Sequence, residues 1–156
     1  FLCHPRKQAA LGQSRIVSRS EPPYSLHTRG ELGAEMARVY IIEDDESVSR
    51  ALNRLLRSAG FDARTFTSVE AFADSEFASG EGCVLADIRM PGGSGLELPE
   101  RLHRLGRDLP VIFLTAQDTE TTRAAARRAG AVAFFRKPVD DRALIDAIEW
   151  ALVNGC

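Results

Sequence analysis

Charged and hydroxyl side chains follow several short apolar runs in this sequence, and together they could bind a cation and an anionic group. Asp44 and Asp45 follow one such run, Asp87 follows a second, Thr115 a third and Lys137 a fourth. A short apolar run bounded by turn residues is typical of a buried strand. Because the carboxyl ends of parallel strands meet at one edge of a sheet, where ligands bind, we expect these groups to lie together.

Three carboxylates at one edge predict a divalent cation. Crowded carboxylates repel one another unless a cation lies among them. An oxygen-only, partly hydrated ligand set suits Mg²⁺, which keeps several waters and takes one or two carboxylates. Lys137 adds a further positive charge, and it is the only lysine after residue 36, against fourteen arginines. This usage indicates a need for a compact ammonium group at that position.

Each of these groups, taken alone, has an ordinary structural role as its alternative. The acidic stretch Glu43–Glu46 could be a solvated turn, and Asp87 could cap the turn that follows it. Thr115 could be the cap of the next segment, and Lys137 a surface charge at a strand end. Their joint occurrence at successive carboxyl ends of one alternating pattern favours a common site.

Strand and helix patterns alternate from residue 38 to residue 152, and they must position these groups. Five β-α units predict an α/β fold with a doubly wound parallel sheet, right-handed crossovers and helices on both faces. The segment Asp118–Ala129 is helical by propensity but has no large apolar residue, so we expect it to be loosely held. Pro99 is compatible with the third helix only in or near its first turn. Asp140 or Asp141 is predicted to cap the last helix.

Composition limits the class of protein. A chain of 156 residues with 44% hydrophobic residues predicts one soluble domain, and a net charge of −2 argues against nucleic acid or an anionic membrane as a partner. No apolar run approaches the roughly 20 residues of a membrane span. Cys83 lies in a predicted core strand, whereas Cys3 and Cys156 lie near the ends, so no disulfide framework or zinc site is expected. A reducing cytoplasm fits this pattern.

The first 36 residues differ from the rest of the chain. They mix Arg, Ser, Pro, Gly and His without periodicity, and Pro22-Pro23 excludes a helix there. We expect residues 1–36 to be a disordered leader of upstream or non-native sequence, with Met36 as the natural start. The folded domain is predicted to span residues 37–154.

Four motifs, read together, carry a resemblance to a known family. They are Asp44-Asp45, the Asp87 segment with Met90-Pro91 and Ser94-Gly95-Leu96, Leu114-Thr115-Ala116, and Lys137-Pro138. With these motifs, residues 38–152 resemble a response-regulator receiver domain of bacterial two-component signal transduction. The resemblance implies a flavodoxin-like (βα)5 fold with a parallel five-stranded sheet in the order 2-1-3-4-5.

The resemblance also implies a metal site and a phosphorylation site. Asp87 takes the position of the phospho-accepting aspartate. Asp45 and Asp87 would bind Mg²⁺ directly, together with the backbone carbonyl of Arg89, and Asp44 would act through a water molecule.

A phosphoryl-binding set and a conformational switch follow from the same resemblance. Lys137 would pair with the phosphoryl oxygens, and Thr115 and the Ala116 N–H would donate hydrogen bonds to them. Thr115 and Phe134 take the positions of the switch residues. The less favoured alternative for Phe134 is a core aromatic, because Phe135 beside it is equally apolar. The Lys137-Pro138 bond is expected to be cis, as it is in the family.

The function implied is that of a phosphoacceptor, which catalyses its own phosphorylation and slow dephosphorylation but is not otherwise an enzyme. A sensor histidine kinase would be the partner that phosphorylates Asp87. Phosphorylation would switch the face formed by the fourth helix, fifth strand and fifth helix, which could form a homodimer or bind an output partner. We expect no direct nucleic-acid or membrane contact from this chain, either as a single-domain regulator or as the receiver part of a longer transcription factor.

Two alternatives belong to other functional classes. A Mg²⁺-dependent phosphatase with an aspartyl nucleophile usually has an acid/base carboxylate two residues further on, where Arg89 stands here. A receiver-like binding module that is not phosphorylated would not need every residue of the set. Both alternatives are therefore less favoured than the phosphoacceptor.

Overall fold

The computed structural model describes residues 36–76, 81–90 and 93–154. The predicted leader, apart from Met36, and Pro91 of the quoted motif lie outside the described residues.

Five parallel strands and five helices alternate along the described chain. The strands are β1 Arg38–Ile42, β2 Asp62–Phe66, β3 Cys83–Asp87, β4 Val111–Thr115 and β5 Ala133–Arg136. The helices are α1 Glu46–Ser58, α2 Val69–Ala73, α3 Leu98–Arg104, α4 Glu120–Ala129 and α5 Asp141–Asn154. The sheet order β2-β1-β3-β4-β5 confirms the predicted doubly wound topology.

The central strands β1, β3 and β4 are buried on both faces, which explains their nearly continuous apolar sequences, whereas the edge strands β2 and β5 are partly exposed. Side chains of β1 alternate between two core clusters. Val39 and Ile41 pack with residues of α1 and α5, whereas Tyr40 and Ile42 pack with residues of α2 and α3. All five residues of β3 are buried. Burial also raises the pKa of Cys83 to about 12, so this thiol stays protonated at neutral pH.

A short antiparallel ladder interrupts the alternation after β3. Arg89–Met90 pairs with Gly93–Ser94, and a 3-10 turn at Gly95–Glu97 leads into α3. Pro99 lies in the first turn of α3, as predicted, where its missing N–H leaves no helical hydrogen bond unmade.

The last two helices differ in how firmly the core holds them. In α4 only Ala126 is buried, whereas α5 buries Leu144, Ile148 and Ala151. Helix α5 is capped by Asp140, whose Oδ2 accepts a hydrogen bond from the Ala143 N–H at 2.9 Å. Within the described ranges, no helix is both long enough and apolar enough to cross a bilayer.

Candidate functional site

Polar residues at the ends of β3 and β4 and directly after β1 and β5 converge at one edge of the sheet. Strand register brings this about, because Asp87 pairs with Leu114 and Thr115 pairs with Arg136 across neighbouring strands. Lys137 follows β5 directly, and its backbone N–H donates to the Thr115 carbonyl at 2.7 Å. The carboxyl ends of β3, β4 and β5 therefore lie side by side at the same edge of the sheet.

Lys137 joins two carboxylates that lie 44 positions apart in the sequence. Its Nζ donates to Glu43 Oε1 at 2.7 Å and to Asp87 Oδ2 at 3.1 Å. The Lys137-Pro138 bond is cis, as expected. The sequence prediction that Lys137 and Asp87 meet is therefore matched by direct contact, and Glu43 is an additional partner.

Three carboxylates form a cluster around this lysine. Ligand oxygens of Glu43, Asp44 and Asp87 lie within 4.8 Å of one another. Glu43 and Asp87 are 3% and 9% exposed, whereas Asp44 is exposed to solvent. This donor set fits Mg²⁺, because it offers oxygen atoms only and one side open to water.

The structure does not bring Asp45 to this cluster, so the carboxylates that lie together are Glu43, Asp44 and Asp87 and not the predicted Asp44, Asp45 and Asp87. Asp45 Oδ1 accepts hydrogen bonds from the N–H groups of Ser47 at 2.9 Å and Val48 at 3.2 Å, so this side chain caps α1. Strand β1 ends at Ile42 and α1 begins at Glu46, which makes the third acid the N-cap. The acidic pair at the site is Glu43-Asp44, and Glu43 was missed.

Burial and hydrogen bonding act in opposite directions on the charged groups at this site. Burial raises the pKa of Glu43, and the hydrogen bond from Lys137 opposes this rise only in part. For Lys137 burial acts to lower the pKa, but the hydrogen bonds to Glu43 and Asp87 and the negative charges of these two carboxylates together raise it. Three carboxyl groups lie near a single ammonium group, and such an arrangement favours a divalent cation.

Backbone groups fix the Asp87 carboxylate from the other side. The Arg89 N–H donates to Asp87 Oδ1 at 3.2 Å, while the Arg89 side chain is exposed. The Gly95 N–H donates to the Ile88 carbonyl at 2.8 Å, which draws the turn before α3 close to β3. A Cβ atom at Gly95 would lie 2.3 Å from the Asp87 carbonyl oxygen.

This close approach predicts a large cost for Gly95→Ala. The clash is with backbone, which cannot rotate away, so we expect the free energy of unfolding to fall by about 3 kcal/mol in urea denaturation. Gly106→Ala is the matched control, since nothing lies within 4 Å of its Cβ position and only its φ of +78° opposes alanine. That control should lose about 1 kcal/mol. Equal losses for the two variants would contradict the packing described.

Thr115 and Phe134 lie beside the cluster in different surroundings. Thr115 is 1% exposed, and its Oγ1 accepts from the Gln117 N–H at 3.1 Å and lies 3.3 Å from the Gln117 carbonyl. Ala116, the next residue, is exposed. Phe134 is half-buried in β5, with the Arg123 guanidinium carbon 5.9 Å from its ring centroid.

The chain belongs to the family of response regulator receiver domains, whose model matches residues 39–149. It is similar to the response regulator protein TodT of Pseudomonas putida, at 39% identity over 114 residues that make up 73% of this chain and 50% of TodT. It is also similar to the transcriptional regulatory protein FixJ of Azorhizobium caulinodans, at 38% identity over 118 residues, or 76% of this chain and 56% of FixJ. A solved structure of the response regulator StyR has a TM-score of 0.70 and 40% identity, and the match covers 77% of this chain and 61% of that one.

These matches confirm the family inferred from the motifs and the flavodoxin-like fold. Receiver domains are phosphoacceptors and not classical enzymes. The chain spans about half the length of the curated relatives that it matches.

Proposed function

We propose that this receiver domain accepts a phosphoryl group on Asp87 from a sensor histidine kinase, in a Mg²⁺-dependent reaction, and changes its surface in response. The observation that carries the proposal is the contact of Asp87 with Lys137 inside a cluster of three carboxylates. A nucleophile, a cation that neutralises charge and a metal-binding set then occupy one edge of the sheet.

Phosphoryl transfer to Asp87 depends more on the placement of the reacting groups than on a strong base. In the proposed transfer an Asp87 carboxylate oxygen forms the new O–P bond as the P–N bond of a phosphohistidine breaks. The product is an acyl phosphate, and the leaving imidazole takes up a proton from solvent. A carboxylate is a weak nucleophile, so the rate depends on in-line placement and on neutralising the phosphoryl oxygens. Lys137 supplies one such charge, and the Arg89 N–H holds one carboxylate oxygen in place.

Within the cluster of Glu43, Asp44 and Asp87, Asp44 and Asp87 are the side chains that would bind Mg²⁺ directly, with the backbone carbonyl of Arg89 as a further proposed ligand. When bound, the ion would neutralise the negative charge of the phosphoryl oxygens. Asp44, being exposed, leaves the site open to water on that side. Glu43 is buried and tied to Lys137, so we expect it to orient the lysine and to act on the metal from a distance.

Thr115 and the Ala116 N–H would donate hydrogen bonds to the phosphoryl oxygens. To do so the Thr115 hydroxyl must leave Gln117, to which it is now hydrogen-bonded. That exchange would pull on the loop 116–119 and free space beside β5. Phe134 is then proposed to turn, which changes the face formed by α4, β5 and α5.

A groove next to the site could bind a helix of the kinase that carries the phosphohistidine. It has a volume of about 490 Å³ and adjoins Lys137. Apolar side chains of α1 and of the segment after β5 line it, namely Val48, Leu52, Leu55, Pro138 and Val139. A donor histidine must bring its ring to Asp87, and a partner helix lying in this groove would do so.

The metal site is tested by comparing two neighbouring Asp→Asn variants. We expect Asp44→Asn to weaken Mg²⁺ binding and Mg²⁺-dependent binding of beryllofluoride by at least about tenfold, since it removes a proposed ligand charge. Asp45→Asn is the matched control and should bind as the wild type does, because asparagine caps a helix as well as aspartate. Isothermal titration with Mg²⁺ and then beryllofluoride gives both constants. If only Asp45→Asn loses Mg²⁺ binding, Asp45 is the metal ligand, as the sequence predicted, and the assignment of Asp44 is refuted.

The output is proposed to pass through the α4, β5 and α5 face. Trp150 of α5 is 56% exposed and Phe134 of β5 is half-buried, so each could contribute apolar contact area to a second copy or to an output partner. FixJ, a relative, is named a transcriptional regulatory protein. We propose a corresponding role in transcription when this receiver domain forms part of a longer protein.

A further inference from the structure

One arginine joins the loop after β4 to the strand β5, away from the acidic cluster. Arg123 of α4 binds Asp118 through two hydrogen bonds, Nε to Oδ1 and Nη2 to Oδ2, the second at 2.7 Å. The same guanidinium lies over the Phe134 ring, with its carbon 5.9 Å from the centroid. A planar guanidinium can satisfy a carboxylate along its edge and contact a ring with its face.

We propose that Arg123 is a positioning residue that latches the loop 116–119 and the Phe134 ring in the unswitched arrangement. The inference rests on the proposed function, because it identifies the contacts that phosphorylation of Asp87 would have to break. Asp118 follows Gln117, the residue that holds the Thr115 hydroxyl. A displacement of Thr115 toward a phosphoryl group therefore pulls on the segment that Arg123 holds.

The weak packing of α4 makes this tether important. Only Ala126 of α4 is buried, so few apolar contacts fix the helix against the sheet. Asp118 is the more enclosed partner, with 17% of its side chain exposed against 52% for Arg123. The hydrogen bonds from Arg123 also lower the pKa of Asp118, so the pair stays charged throughout the neutral range.

Space for the ring to move lies next to the latch. A cavity of about 290 Å³ is bounded by Phe134, Arg123 and Ala126, together with the start of β5. If the contact with Arg123 is lost, the Phe134 ring can rotate into this cavity. Arg123 therefore restrains both parts that the switch must move, the loop through Asp118 and the ring through its face.

Removal of the latch should raise the population of the switched state before any phosphoryl group is bound. A ligand that selects that state then binds more tightly in proportion to its population. For one exposed bidentate pair and one cation–π contact, we expect an increase of about threefold to tenfold in affinity for beryllofluoride in the presence of Mg²⁺.

The test compares Arg123→Met with Arg128→Met, since Arg128 is an exposed arginine on the same helix. Affinity for beryllofluoride is measured by titration, and amide chemical shifts of residues 116–119 are recorded with and without the mimic. Arg123→Met should tighten binding and move these amides, in the mimic-free protein, part of the way toward their mimic-bound positions. Arg128→Met should match the wild type. Arg123→Lys, which keeps the charge but loses the second hydrogen bond, should fall between.

The possible results distinguish a failure of the Arg123 proposal from a failure of the proposed function. A wild-type protein that binds no beryllofluoride would overturn the proposed function. A wild-type protein that binds it, with Arg123→Met showing unchanged affinity and unchanged loop amides, would overturn the latch alone. Asp118→Asn is a second test, because it removes the same ion pair from the loop side. It must also tighten beryllofluoride binding and move the amide shifts of residues 116–119 in the same direction as Arg123→Met.

Discussion

Replacing Asp87 by asparagine is expected to abolish phosphoryl incorporation. The amide keeps the size of the side chain but lacks the nucleophilic charge, and no other carboxylate shares its contacts with both Lys137 and the Arg89 N–H in the described part of the chain. The measurement is intact-mass analysis after incubation with acetyl phosphate and Mg²⁺. The wild type should gain one base-labile phosphoryl group and the variant none.

Asp45→Asn controls for the loss of one acidic charge near the site. Its side chain caps α1 and has no contact with Lys137 among the described residues, so the variant should be phosphorylated like the wild type. Full labelling of Asp87→Asn would refute the assignment of the phosphoacceptor. Multiple-turnover hydrolysis of phosphate esters by the wild type would instead favour a phosphatase.

Replacing Lys137 by methionine is expected to slow phosphorylation of Asp87 by about 100-fold or more. The ammonium is placed to neutralise charge that develops on the phosphoryl oxygens, and loss of one such preorganised donor typically costs this much in rate. Methionine keeps the length and apolar stem of lysine, so packing beside Glu43 is largely retained. The rate is measured by quenched-flow or by intact mass at fixed acetyl phosphate and Mg²⁺.

Lys137→Arg separates charge from geometry. Guanidinium keeps the positive charge but is wider than ammonium, and the cleft between Glu43 and Asp87 is spanned by contacts of 2.7 and 3.1 Å. We expect an intermediate rate. If Lys137→Met phosphorylates as fast as the wild type, Lys137 has a structural role only.

Much of the fold could be predicted because local and global signals agree. Uninterrupted apolar runs mark strands that are buried on both faces, and polar residues directly after them mark the edge of the sheet. Asp87 at the end of β3 and Pro99 in the first turn of α3 were predicted from such signals, and the cap of α5 was narrowed to Asp140 or Asp141, of which the structure shows Asp140. Each depends on neighbours close in the sequence.

It was harder to predict which carboxylates lie together, because three consecutive acids fill the turn between β1 and α1. Periodicity does not say which of them faces the site. One signal was available, since Asp45 stands directly before Glu46-Ser47-Val48 at the start of an amphipathic helix, where aspartate is a preferred N-cap. Giving Asp45 that role leaves Glu43 and Asp44 for the sheet edge.

The contact of Arg123 with Phe134 could not be predicted from the pattern. Asp118 and Arg123 are close in the sequence, but Phe134 reaches the guanidinium only because β5 pairs with β4 in the register that places Phe134 beside Phe113. Such a contact depends on the packing of α4 across the sheet edge, and no spacing rule describes that packing.

The scarcity of lysine has a consequence for covalent chemistry at amines. Between residues 36 and 154 every side-chain cation except Lys137 and His103 is a guanidinium, which acylating agents such as acetyl phosphate do not modify at neutral pH. The Lys137 amine must lose its proton to react, and its two carboxylate partners hold that proton in place. Acetyl donors should therefore leave the surface charge of the domain intact. Any acetylation that does occur in this part of the chain would fall on Lys137, which contacts the proposed phosphoacceptor Asp87, so acylation of the amine would remove the charge that phosphorylation of Asp87 needs.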